Sequence, residues 1–454
     1  MLFVISCPGV SSGRFSSFSF RLSRFRYFLF ALGSALTLGL LTCMPIAAHA
    51  AAGDYDINGT PTLTGNLQAD INALGGGQHI IKLQADVHVS DGLEIDGKNI
   101  TFDLNRHKLK ISNNVGVGLL VHGGSRVDYT PVPAGAGSFT VSSTGRDSLH
   151  IKDDGSFCML TGVQVNSDRY TAIWGNDQTT VIVNGDVEAF GAGDIGLIAV
   201  SGAQITVNGN VTAADGDAIG AFSAGTVVTI NGNISVASDD THDAIYSDTQ
   251  ATVIVNGNVS AVGAAVRGVD AWEGSRVLVT GSITTSDAAA VRATDADTTV
   301  TVNGAVHAAF ASTSANDVAG VAARAGAAIA IKNDVVVTTA NPKFSGAAAR
   351  TGGTVTIDGT LTAEPYINIQ GVIKTMADTV PSSKADYSHM YSDGTSTVWV
   401  TRLTPSGGTT VTSTTASVPT LSPAALAVLI VALGWVVLMG LAGIRGQKSG
   451  IRKT

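Results

Sequence analysis

An all-β solenoid, a parallel β-helix with coils of about 24 residues, is the fold class predicted by the middle of this 454-residue sequence. Three observations carry that expectation. The first is self-similarity. TVIVNGDVEA (180–189), QITVNGNVTA (204–213), VVTINGNISV (227–236) and TVIVNGNVSA (252–261) are near copies, and four looser copies begin at 276, 299, 328 and 354. Their glycines Gly185, Gly209, Gly232, Gly257, Gly281 and Gly304 recur at an interval that never strays by more than one position from two dozen. The second is alternation of Val or Ile with Thr or small residues, which places every other side chain on one face of a short strand. The third is composition. Only 14% of residues are charged and 6% aromatic, while Gly supplies 53 residues. Large apolar residues are too few for a conventional enzyme core, but a thin Val/Ala/Thr/Gly sheet needs none.

One repeat cannot bury its own apolar face, whereas stacked repeats can. About ten coils at a rung spacing of ~4.8 Å make a rod on the order of 50 Å long. The recurring Asn184, Asn208, Asn231, Asn256 and Asn303 each precede a glycine. Asn-Gly is also the strongest short hairpin signal, so an antiparallel sandwich is the competing reading. Hairpins alone leave the fixed period and the second short run between copies unexplained. The solenoid reading instead places each Asn at a coil corner, in the left-handed region, with its amide stacked on the next.

Before the repeats come a leader and an irregular first section. Residues 1–50 hold Arg14, Arg21, Arg24 and Arg26 and no acid, then an apolar run Tyr27–Leu41, then Ala47-Ala48-His49-Ala50-Ala51. This is the order of a secretory signal peptide cleaved after Ala50. An uncleaved anchor and lipoprotein processing at Cys43 are the alternatives. Cys7 and Cys43 lie in this leader, so the mature chain keeps only Cys158 and has no intrachain disulfide. Residues 51–178 form a cap and irregular first coils. Leu67, Ile71 and Leu74 share one helical face, stopped by Gly75-Gly76-Gly77, and strand-like segments follow. A helix ahead of such strands resembles the N-terminal cap of pectin-lyase-like proteins. That resemblance covers most of 60–375 and implies a single-stranded right-handed β-helix. Regular repeats occupy 179–375, and a polar Thr/Ser/Gly-rich stretch marks 376–417 as a stalk.

The C-terminal segment is another address. Ala424–Ile444 carries no charged side chain. At roughly 20 residues it is long enough for a transmembrane helix. Arg445, Lys448, Arg452 and Lys453 follow it and favour a cytoplasmic C-terminus. Val418-Pro419-Thr420-Leu421-Ser422, the helix and the basic tail together resemble the IPTL-CTERM sorting region of exported proteins of Gram-negative bacteria. Val stands in place of the usual first Ile, and the Trp-Gly that often follows the motif is missing. The resemblance implies an exosortase-like membrane enzyme as partner, beside the secretion machinery. A plain anchor is the alternative.

Charge and chemistry complete the reading. Net charge is −8, and mean hydropathy is +0.28. Setting aside the eight terminal cations leaves 19 of the 27 basic residues against 35 acidic ones. An acidic body argues against nucleic acid as a partner. Pectin-lyase-like enzymes carry carboxylates, or Asp with Arg, on neighbouring coils. The best such cluster here is Asp239, Asp240, His242 and Asp243, with Arg267 and Asp270 one coil on. It would suit Ca²⁺ ligation and an arginine base acting on an acidic glycan. The plainer reading is a solvated corner, with Asp217, Asp243 and Asp317 capping the strands that follow them. Trp174 and Trp272 are either core or sugar-stacking side chains. The expectation is an exported, surface-directed structural or adhesive protein without catalysis, with a surface glycan or matrix as its contact. A polysaccharide lyase or glycoside hydrolase is the alternative.

Overall fold

The computed structural model describes residues 50–62, 64–130, 137–238, 240–263, 265–310, 319–339 and 343–405. The signal segment before Ala50, the sorting motif Val418–Ser422 and the apolar span Ala424–Ile444 lie outside these residues. No helix among the described residues is long and apolar enough to cross a membrane.

The repeats wind into a parallel β-solenoid of about 11 turns. Each coil supplies three strands, and each strand pairs in parallel with its counterpart one coil on. Face I contains Thr180–Val183, Gln204–Val207 and Val227–Ile230, and face II contains Val187–Ala189, Val211–Ala213 and Ile234–Ala237. Face III contains Ile195–Ala199, Ile219–Phe222 and Asp243–Asp248. Faces I and II join in a 27-stranded sheet, and face III is a separate 13-stranded sheet. Val181, Ile205, Val228 and Val253 sit in one register column, so like residues stack on like along the axis. All four are buried. Each such Val or Ile contributes roughly 1.5–3 kcal/mol relative to leaving it in water, which explains how a chain poor in aromatics still builds a core.

The corner between faces I and II explains the Asn-Gly pairs. Asn208 Nδ2 donates to Asn184 Oδ1 at 2.7 Å, Asn231 to Asn208 at 2.7 Å and Asn256 to Asn231 at 2.8 Å. A second ladder runs beside it: Asn233 N donates to Asn210 Oδ1 and Asn258 N to Asn233 Oδ1, both at 2.9 Å. The amide stack expected from the sequence is present, but its backbone is not left-handed. Left-handed residues occupy the corner between faces III and I, as at Ser201 (φ 54°), Thr249 (φ 51°) and Glu273 (φ 47°). The corner glycines answer to a steric demand instead. A Cβ on Gly232 would overlap the Gly209 carbonyl oxygen, and one on Gly257 would overlap that of Gly232. Each glycine is required by the coil beneath it.

Both ends of the stack are covered. The helix Leu67–Ala73 buries Leu67 and Ile71, and its N-cap Asn66 accepts a hydrogen bond from Ala69 N at 3.0 Å. The strand Tyr55–Ile57 pairs antiparallel with the first face I strand, Gln78–Leu83. At the other end Thr397–Pro405 adds a parallel rung on Thr354–Ala363, and His389–Ser392 closes its outer edge antiparallel. Val372–Lys374 does the same for face III. These antiparallel strands occupy edges that would otherwise template further pairing. Residues 376–405, assigned to the stalk from composition, therefore carry closing strands of the solenoid.

Candidate functional site

Face III carries Asp243, Arg267 and Asp270 of the cluster that the sequence singled out. On Asp243–Asp248, Arg267–Ala271 and Val291–Thr294 the register sets Asp243 beside Arg267 and Asp270 beside Arg292. Arg267 Nη1 lies 3.3 Å from Asp243 Oδ1 and 3.8 Å from Asp270 Oδ2. Arg292 Nε donates to Asp270 Oδ1 at 2.7 Å, and its Nη2 meets Asp270 Oδ2. The Arg292 guanidinium also lies 5.1 Å from the Trp272 ring centroid, a cation–π contact. The result is an alternating chain of two carboxylates and two guanidinium groups spanning three coils.

Burial decides what this chain can do. Asp270 is 1% exposed, Arg267 6% and Asp243 9%. Burial and the Asp270 carboxylate push the Asp243 carboxyl above the ordinary carboxylate range, while Arg267 and Arg292 pull the other way. Such groups hold one another. An acid, base or nucleophile has to reach a substrate, and these four side chains line neither of two open clefts on the solenoid. One cleft, about 520 Å³, is lined at the N-terminal cap by Asn66, Gln68, Leu93 and Glu94. The other, about 500 Å³, is lined by Asp215, Ser238, Asp240 and Gly263.

The remaining candidates separate. His242 Nδ1 lies 3.3 Å from Asp217 Oδ1, and that hydrogen bond raises the imidazole pKa against the opposing effect of burial. Asp217 Oδ1 also accepts from Asp243 N at 2.8 Å, so it caps the strand one coil on, not the strand that follows it. Asp243 itself does not cap; its carboxylate faces Arg267. Asp240 is exposed, and Asp239 and Asp317 lie outside the described residues. Asp243 and Asp270 are a poor fit to a Ca²⁺ ion, because both carboxylates face guanidinium groups. Among the described residues no group of three or more His, Cys, Asp or Glu side chains could hold a metal.

Sequence reasoning missed Arg292 and Tyr246. Arg292 sits 22 residues beyond Asp270, one short coil on, and that interval was its signal. Tyr246 stands directly opposite Asp270 in the register. Trp174 and Trp272 are half-buried and outside the core cluster. In comparisons with known proteins the chain matches no family model, no curated protein and no solved structure.

Proposed function

We propose that this chain is an exported, surface-directed β-solenoid with a structural or adhesive role and no catalysis. The observation that carries the reading is the closed ion-pair chain. The constellation that the sequence singled out as having the residue types of a polysaccharide-cleaving site is used up by Asp243–Arg267 and Asp270–Arg292 pairing, with Asp243, Arg267 and Asp270 buried. A buried pair of this kind adds register specificity to a stack of near-identical coils; it offers no free base. Export and sorting rest on the two ends of the sequence, basic then apolar then small at the N-terminus, and VPTLS then apolar then basic at the C-terminus. By the same reading the secretion machinery and an exosortase-like enzyme are the partners, and Ala424–Ile444 holds the chain in the inner membrane until it is processed.

The test is a panel of acidic and neutral polysaccharides incubated with the purified full-length protein. No new reducing ends and no unsaturated products are expected. Product formation abolished by Asp243→Asn would overturn the reading in favour of a lyase or hydrolase. Mass spectrometry of the protein recovered from cells tests the sorting: loss of Ala424–Thr454 is expected, and its retention would mean a permanent anchor.

A further inference from the structure

The aromatic residues of this body are scarce, and the fold gathers several of them on one outer strip. The central outer column of face I mixes aliphatic residues with threonine, as Ile182, Thr206, Thr229, Ile254, Leu278 and Thr301, and the outer positions of face II include Thr212, Ser235, Ser260 and Thr284. On face III the outward register column reads His150, Trp174, Ile198, Gly220 and Tyr246 on successive coils. Phe222 and Trp272 stand in the neighbouring column, on either side of Asp248. The ring-bearing side chains of the strip are half-buried, and so partly open to solvent.

The rings are held, not loose. His150 and Trp174 stack with centroids 5.8 Å apart and planes within 9°. Phe222 and Tyr246 lie 5.5 Å apart, and the Phe222 ring folds over Gly220, where a Cβ would crowd it at 3.0 Å. Trp272 is braced by Arg292. From the Trp174 rung to the Trp272 rung is four coils, about 19 Å at ~4.8 Å per rung.

From this strip we infer that face III binds a neutral polysaccharide laid along the solenoid axis, its sugar rings stacking on Trp174, Phe222, Tyr246 and Trp272. Two features argue for that ligand. Trp and Tyr present an apolar face with a polar edge, which matches a pyranose ring bearing C–H groups on its face and hydroxyls on its rim. Beside the strip Asp270 is closed on Arg292 and Asp243 on Arg267, while Asp248, which accepts from the Tyr246 hydroxyl at 3.2 Å, adds a carboxylate to an acidic chain. That balance favours a neutral ligand over a polyuronate.

This inference rests on the adhesive reading above and names its partner. The test is affinity electrophoresis of the full-length protein through native gels containing hydroxyethyl cellulose or, in a parallel arm, alginate. Retardation by the neutral polymer alone is expected. Trp174→Ala and Trp272→Ala should each weaken it about tenfold, the loss of roughly one aromatic contact, and Phe at either position should retain most of it. Phe190→Ala, at an exposed residue outside the strip, should change nothing. Where an alanine variant fails to fold, the Leu variant keeps apolar bulk without a π-face and carries the same expectation. Retardation by neither polymer, by alginate as strongly as by the neutral polymer, or to the wild-type extent in a variant carrying both Trp174→Ala and Trp272→Ala would overturn the inference. Cleavage would appear as shortened polymer, so a failure of the non-catalytic reading is seen separately.

Discussion

Gln68 completes the first strand of face III by imitating a neighbouring strand. Its Nε2 donates to the Glu94 carbonyl at 2.9 Å, and its Oε1 accepts from the Glu94 N–H at 2.7 Å. A side-chain amide has the same donor and acceptor as a peptide group, so one residue of the capping helix satisfies both backbone groups of an otherwise open edge. Gln68→Leu keeps the bulk and removes both bonds. The expected cost is about 1 kcal/mol, with faster hydrogen exchange at the Glu94 amide and unchanged exchange in the central coils.

The glycine stack makes a sharper prediction. Gly232→Ala places a methyl group against the Gly209 carbonyl, and the backbone of that neighbouring coil must shift to admit it. A loss of about 2 kcal/mol or more is expected. Gly76→Ala meets nothing within 4 Å and has no left-handed φ, so its thermal unfolding should match the wild type.

Removing one member of the buried ion-pair chain takes a charged partner from another. Asp270→Ala leaves the Arg292 guanidinium without its two-point partner, at an expected cost of about 3–5 kcal/mol in denaturant unfolding. Adding Arg292→Leu should recover part of that loss, because the second substitution removes the guanidinium that Asp270 had held at two points. An additive double variant would show that the pair is not coupled.

The pH dependence of this corner follows from two raised groups. Asp217 stabilises protonated His242, so its contribution is full below the ordinary value of 6.5 and is lost as pH rises through the folded value. His242→Gln should therefore lower the denaturant midpoint at about pH 5.5 and leave it unchanged at about pH 9. Asp243 is raised by burial, so the folded state favours its protonated form, and that preference is lost as pH rises through the folded value. The cost of Asp243→Asn should shrink between about pH 5 and pH 9. A cost that grows over the same range would place the Arg267 ion pair above desolvation.

The sequence by itself determined the period, the strand positions and the presence of a stacked Asn corner. Those properties are written within a single repeat, as alternation in TVIVNGNVSA and as the recurrence of its glycine. It also marked the neighbourhood of Asp243, Arg267 and Asp270, since those residues are one coil apart. Only the tertiary structure decided what they do. The reason the corner needs glycine lies in the carbonyl of the preceding coil, and the Asn residues turned out not to be left-handed. The chain's continuation to Pro405 as a closing rung depends on pairing with Thr354–Ala363, which polar composition does not reveal. The short coil that brings Arg292 onto Asp270, and the column that lines up His150, Trp174 and Tyr246, depend on register between strands a whole coil apart in the chain. In a solenoid the contacts that make a surface run across coils, so a single repeat specifies the scaffold and the stacking specifies the face.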